Sequence, residues 1–129
     1  MKDLAIRKKM KGSLSQAIEK VTEAIKPAGF GVLTRIDLDQ KLKEKLNEDI
    51  PKTVILGACN PRVAFEAHKQ STDVALLIPC NIVVREIGPD EIAVEAIRPT
   101  AMLSFLPNVK AESEILQVEK NLEVALSKL

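Results

Sequence analysis

The chain contains no Trp and no Tyr, and only three Phe (Phe30, Phe65 and Phe105) among its 129 residues. Its core must therefore be aliphatic, drawn from the Ile, Leu, Val and Ala that dominate a 46% hydrophobic fraction. Stacking platforms for bases, sugars or flat cofactors are scarce for the same reason. Two cysteines are too few for a disulfide scaffold, five glycines too few for a collagen, and the aliphatic content too high for a disordered chain. Charge of one sign is missing too: 19 basic residues against 18 acidic ones leave +1, too weak a field to recruit a polyanion, so nucleic acid is not an expected partner. The longest uncharged apolar runs, such as 74–81, fall well short of the roughly 20 residues that a membrane-spanning helix needs. The basic start (Lys2, Arg7, Lys8, Lys9, Lys11) leads into an amphipathic stretch with Glu19 and Glu23 rather than the apolar segment of a signal peptide. The expected location is the cytoplasm, where two cysteines are free thiols.

What the chain has is a regular succession of short elements. At this length folding buries roughly 65–70% of the extended surface, enough for a core without staples, and no linker or repeat divides residues 1–129. Leu4 and Ile6 alternate with charged neighbours and predict a strand over 3–10. Ser13 and Gln16 form a capping box, and Leu14, Ala17, Ile18, Val21 and Ile25 recur at helical spacing, which predicts a helix over about 14–26 stopped by Pro27 and Gly29. A β-rich run over 29–37 follows, after which Asp37, boxed with Gln40, is placed to cap a short helix carrying Leu38, Leu42 and Leu46. Thr53 to Ala58 reads as a buried strand, and Asn60-Pro61 as a helix start. Residues 74–78 suit helix or strand equally. Alternating runs over 81–86 and 91–97 flank Gly88-Pro89-Asp90 as an antiparallel hairpin; Pro99 opens a short helix through Leu106, and after Pro107 a last helix spans about 110–128. Its predicted inner stripe is Ile115, Val118, Leu122, Ala125 and Leu129, with Glu112, Glu119, Lys120 and Lys128 outside. The expected fold is α+β: a two-layer sandwich, mainly an antiparallel sheet of four to five strands with helices packed on one face.

Few residues offer chemistry. Cys59 lies where a strand gives way to a helix N-terminus, where backbone N–H groups lower a thiol's pKa, and Cys80 sits in a similar word before the hairpin. The plain alternative is that each is a small buried hydrophobe. Cys59, His68 and Cys80 supply three soft ligands, the number a catalytic zinc site uses, but their spacing matches no zinc pattern. Ser104 and Ser113 lack a nucleophile elbow, and Gly29-Phe30-Gly31 lacks the third glycine of a dinucleotide fingerprint. No cofactor is specified. Residues 1–12 carry five bases and one acid, a local +4, which reads as a solvated edge strand because lysines there block unwanted pairing.

Four ordered words, Ala28 to Asp37 (AGFGVLTRID), Ile55 to Pro61 (ILGACNP), Leu76 to Asn81 (LLIPCN) and Ala101-Met102-Leu103, resemble domain-of-unknown-function family 302. The resemblance covers about residues 13–106 closely and the final helix more loosely; the charged start is less typical. It implies a compact two-layer α+β fold of small prokaryotic proteins, sometimes dimeric, with no activity to carry over. The matching words place a shared site at Cys59, Asn60, Cys80 and Asn81, flanked by Pro61 and Pro79. The leading expectation is a cytoplasmic binding module for a small ligand or a protein, and a homodimer. In it Asn60 and Asn81 fix turns by hydrogen bonding, and Cys59 and Cys80 line a pocket. The competing expectation is a thiol-based redox or metal-dependent enzyme or sensor using Cys59 and Cys80. Leu116, Val124 and Leu126 fall outside the last helix's stripe and suit either a dimer contact or packing on the helix over 14–26.

Overall fold

The structure, a computed structural model, describes residues 3–106 and 109–129. Its elements in chain order are β1 (Ala5–Lys11), α1 (Leu14–Ala24), β2 (Gly31–Asp37), α2 (Leu38–Leu46), β3 (Thr53–Cys59), α3 (Pro61–Gln70), a 3-10 segment (Thr72–Leu77), β4 (Cys80–Gly88), β5 (Glu91–Ile97), α4 (Pro99–Leu103) and α5 (Glu112–Ser127). The five strands form one sheet in the order β1-β5-β4-β3-β2, antiparallel at every step. Consecutive strands β1 and β2 therefore lie on opposite edges, and α1 carries the chain across the sheet between them.

The register decides which side chains meet. Val54, Val84, Val94 and Lys8 form one cross-strand row, and Leu56, Ile82, Ala96 and Ile6 the next. Their apolar members are buried beneath α1 and α5, which contribute Ala17 and Val21, with Ile25 just past the end of α1, on one side and Leu122, Ala125 and Leu126 on the other. Each fully buried Ile, Leu or Val contributes on the order of 1.5–3 kcal/mol, and this row-on-stripe packing is what an aliphatic sequence can build without aromatics. Lys8, at the end of its row, reaches past the edge and donates to the Ser127 carbonyl at 3.4 Å. The opposite sheet face carries charge instead: Arg7 and Arg85 both bind Glu95, the latter at 2.9 Å, and Arg7 also holds Asp3 at 2.7 Å. A second, smaller apolar cluster lies outside the main core, where Ala67 of α3, Val74 of the 3-10 segment and Val109, Ala111 and Ile115 meet.

The expected α+β architecture is present, and so are the local signals. Ser13 and Gln16 complete a reciprocal capping box on α1, and Asn60 caps α3 with Pro61 at its first position. Four expectations change. Asp37 precedes α2 but its side chain makes no cap bond; Arg35 binds it at 2.9 Å instead, an ion pair on the same strand outcompeting the box with Gln40. Residues 74–77 belong to neither α-helix nor strand but to the 3-10 segment, and α4 ends at Leu103. Glu119, expected on the wet side of α5, is buried at 4% exposure. Leu126 is buried in the main core with Ala17 and Val21 of α1, which is the packing alternative rather than a dimer contact. Leu116 and Val124 are exposed. Lys2 of the basic start and the break at Pro107 lie outside the described residues; Arg7, Lys8, Lys9 and Lys11 do sit on the edge strand β1.

Candidate functional site

The words that contain the cysteines come together at one end of the sheet. In β3–β4 pairing Ala58 faces Cys80 and Gly57 faces Asn81, which brings the end of one word beside the start of the other. Gly57 is required there by close approach. A Cβ built on it would fall 2.6 Å from Pro79 Cγ and would also strike the Thr34 hydroxyl. Beyond Cys59 the chain turns into α3, with the Asn60 Oδ1 accepting from the Val63 N–H at 3.2 Å. The other side of the same amide lies over Gly29, whose φ of +87° and missing side chain leave room for it; a Cβ there would be 2.8 Å from Asn60 Nδ2. Asn60 thus caps a helix and wedges the entry to β2 at once.

Beside this junction lies a cavity of about 90 Å³ between the main core and the smaller cluster. Its floor is the end of the sheet with Phe30, Ala58, Cys59 and Cys80; its walls are α3, the 3-10 segment, α4 and α5, which add Val63, Ala64, Met102 and Ile115 among others. The lining is almost wholly apolar. Of the four predicted site residues, Cys59, Asn60 and Cys80 line it, whereas Asn81 is exposed on β4 and does not.

The electrostatics differ from the expectation for Cys59. It does precede a helix N-terminus, yet burial pushes its pKa up rather than down. Cys80 is pushed up to about 11, first by burial and then by the neighbouring Cys59. Both thiols are therefore protonated at neutral pH, the opposite of an activated nucleophile. They are free, with Cys59 buried and Cys80 partly so. His68 does not join them: it is exposed on α3 and absent from the cavity lining, so the set Cys59, His68 and Cys80 is not assembled. No group of three or more His, Cys, Asp or Glu able to hold a metal ion occurs among the described residues.

Two features of the site are not evident from the sequence motifs. Met102, within the family word Ala101-Met102-Leu103, lines the cavity from α4. Near the same helix, Glu119 of α5 accepts from the Thr100 N–H at 3.0 Å and from its hydroxyl at 2.7 Å, and lies 3.4 Å from Arg98 Nη1, which also binds Glu123 at 2.6 Å. The signal was available: 115, 119, 122 and 126 share one helix face, so a Glu at 119 sits in a core position. This carboxylate ties α4 to α5 and so fixes the wall that carries Met102.

No helix among the described residues is long and apolar enough to cross a membrane. The family described as "Domain of unknown function DUF302" matches residues 6–129, which extends the resemblance over β1 and the final helix. Among solved structures, the crystal structure of the uncharacterized conserved protein DUF302 from Bacillus stearothermophilus is similar, with a TM-score of 0.85 and 27% identity over 98% of each chain. No curated protein matches. The shared words, the antiparallel sheet and the match over nearly the whole length agree: the chain belongs to the DUF302 family.

Proposed function

We propose that this protein is a binding module that takes a small, uncharged, apolar molecule into the cavity beside Cys59 and Cys80. The observation that carries the reading is the cavity's lining: both cysteines and Asn60 border it, and among the described residues nothing charged does. Engineered apolar cavities of about 150 Å³ stay dry and take up benzene or xenon, so this smaller site of about 90 Å³ suits a guest smaller than a benzene ring, such as xenon or a short alkyl group. Asn60 acts as a positioning residue through its cap on α3, and the cysteines act as lining. The thiol-enzyme reading has less support, because burial keeps both thiols protonated.

The test is thermal unfolding under xenon pressure, with xenon as probe. Xenon at about tenfold its Kd raises the Tm of the wild-type chain by a few degrees. Ala64→Leu, which fills the cavity from α3, abolishes the rise while leaving the fold intact. An equal rise in both proteins contradicts the reading.

The proposal includes self-association as a homodimer. Its support is the exposed edge strand β2, with Leu33 at 61% and Ile36 at 45% exposure, beside an α2 that buries no residue fully. A short helix needs a packed apolar face to persist. Light scattering on the 14.2 kDa chain gives about twice that mass, and Ile36→Lys returns it to the monomer value. A monomer mass for the wild type contradicts it.

A further inference from the structure

Leu103 and Val109 border two spaces at once: the apolar cavity beside the cysteines, and an open surface groove along α4 that is also lined by Leu4, Thr100, Ser104 and Leu116. We propose that this groove is the vestibule of the cavity and that Leu103 is its gate, the side chain whose displacement admits a guest and whose bulk limits the guest's size. The inference rests on the cavity reading and adds the route by which an uncharged molecule reaches that site.

The partition is thin at Leu103, because the same side chain faces the guest on one side and the groove on the other. Three other surface grooves, one beside α2 and one at either end of α1, share no residue with the cavity. The remaining walls are longer or better anchored. The helix α3 runs ten residues from its Asn60 cap, α5 runs sixteen, and the 3-10 segment is pinned by the buried Val74. By contrast α4 is five residues long.

This short helix is fixed at one end only. At its start the buried Glu119 carboxylate accepts from both the N–H and the hydroxyl of Thr100. At its end Leu103 is only partly buried, and Ser104 and Phe105 are exposed. The backbone there is held by single-turn bonds: the Phe105 N–H donates to the Met102 carbonyl at 3.1 Å, and the Leu106 N–H to the Leu103 carbonyl at 3.0 Å. Segments with exposed backbone bonds and few buried contacts open locally without global unfolding. Leu103 therefore swings about the Thr100 anchor while the sheet stays folded.

The chemistry of the groove suits the same guest. Leu4, at 61% exposure, and Leu116, at 38%, give an apolar molecule contact before it enters. The carboxylates of Asp3 and Glu112 also line the groove, and its Arg98 is tied to Glu119 and Glu123. A charged solute stops at this point, because the apolar cavity offers its charge no partner.

Saturation-transfer xenon NMR on the full chain reads binding and exchange separately: a cavity-bound signal, and the rate at which it interchanges with dissolved xenon. Leu103→Ala, which shortens the gate, raises that rate at least about tenfold, and Ser104→Trp, which fills the groove just past α4, lowers it about tenfold. Val74→Ala alters a cavity residue that does not border the groove, and leaves the rate within about twofold of the wild type. A bound signal whose exchange ignores either gate-side substitution, or that Val74→Ala accelerates as much as Leu103→Ala does, overturns the gate and leaves the cavity reading standing. No bound xenon in the wild type overturns both. Circular dichroism checks each variant, and if Leu103→Ala unfolds, Ser104→Trp, at an exposed position, decides.

Discussion

Gly57 of β3 and Pro79, just before β4, are in such close contact that a Cβ on the glycine would lie 2.6 Å from the proline Cγ. This contact joins the two cysteine-containing words and explains why a glycine and a proline stand in them. Gly57→Ala therefore forces either β3 or the Pro79 segment to move, and overpacking of this kind costs about 1–3 kcal/mol. Gly31→Ala, where the added Cβ meets nothing within 4 Å, is the control and stays within about 0.5 kcal/mol of the wild type. Urea unfolding of both variants checks the pair; equal stabilities refute the contact.

The two asparagines play different parts. Asn60→Ala removes the cap of α3 and costs about 0.5–2 kcal/mol, whereas Asn60→Asp keeps the accepting oxygen and recovers most of it. Asn81→Ala, on an exposed position of β4, changes stability by less than about 0.5 kcal/mol. Chemical denaturation distinguishes this from a shared Asn-Asn site, in which both alanine variants would leave stability alone and impair binding together.

Glu119 is a structural carboxylate. Glu119→Ala leaves the Thr100 N–H and hydroxyl without their acceptor and Arg98 with one carboxylate fewer, a loss of about 1–3 kcal/mol. Glu119→Gln keeps an acceptor for Thr100 and loses less. The ordering of the two midpoints in urea is the readout, and Gln as the worse substitution speaks against the assignment.

Glu95 links folding to pH. Its hydrogen bond from Arg85 holds its carboxyl below the ordinary range, with Arg7 adding to the effect. The unfolded chain therefore takes up the proton first as pH falls. Stability from this group is complete above the ordinary glutamate pKa and is lost as pH drops through the lower folded value. Stability measured from pH 6 downward falls in the wild type, and Glu95→Gln flattens that part of the curve. A variant with an unchanged acid limb contradicts the linkage.

Much of the fold could be read from the residues because its signals are local. The Ser13–Gln16 box, the Asn60-Pro61 start and the alternation around Gly88-Pro89-Asp90 each act within a few residues, and each appears in the structure. The features missed depend on distant partners. Arg35 takes Asp37 away from its helix, and Glu119 turns inward because Thr100 and Arg98 wait there. At the site, the sequence indicated the neighbourhood of Cys59 and Cys80. The expected pocket lies there, but its walls could not be read from the residues, because they come from α3, α4 and α5, far apart in the chain. Nor did the sequence show that burial outweighs the helix terminus at Cys59, since burial depends on the whole fold.

The central claim is that the space bordered by Cys59, Cys80 and Met102 is a dry, apolar binding cavity. Crystals of the wild type pressurised with xenon test it most directly. The account predicts one xenon atom in that cavity, absent in Ala64→Leu. A hydrogen-bonded water chain in its place, or no xenon under pressure that fills other apolar cavities, contradicts it.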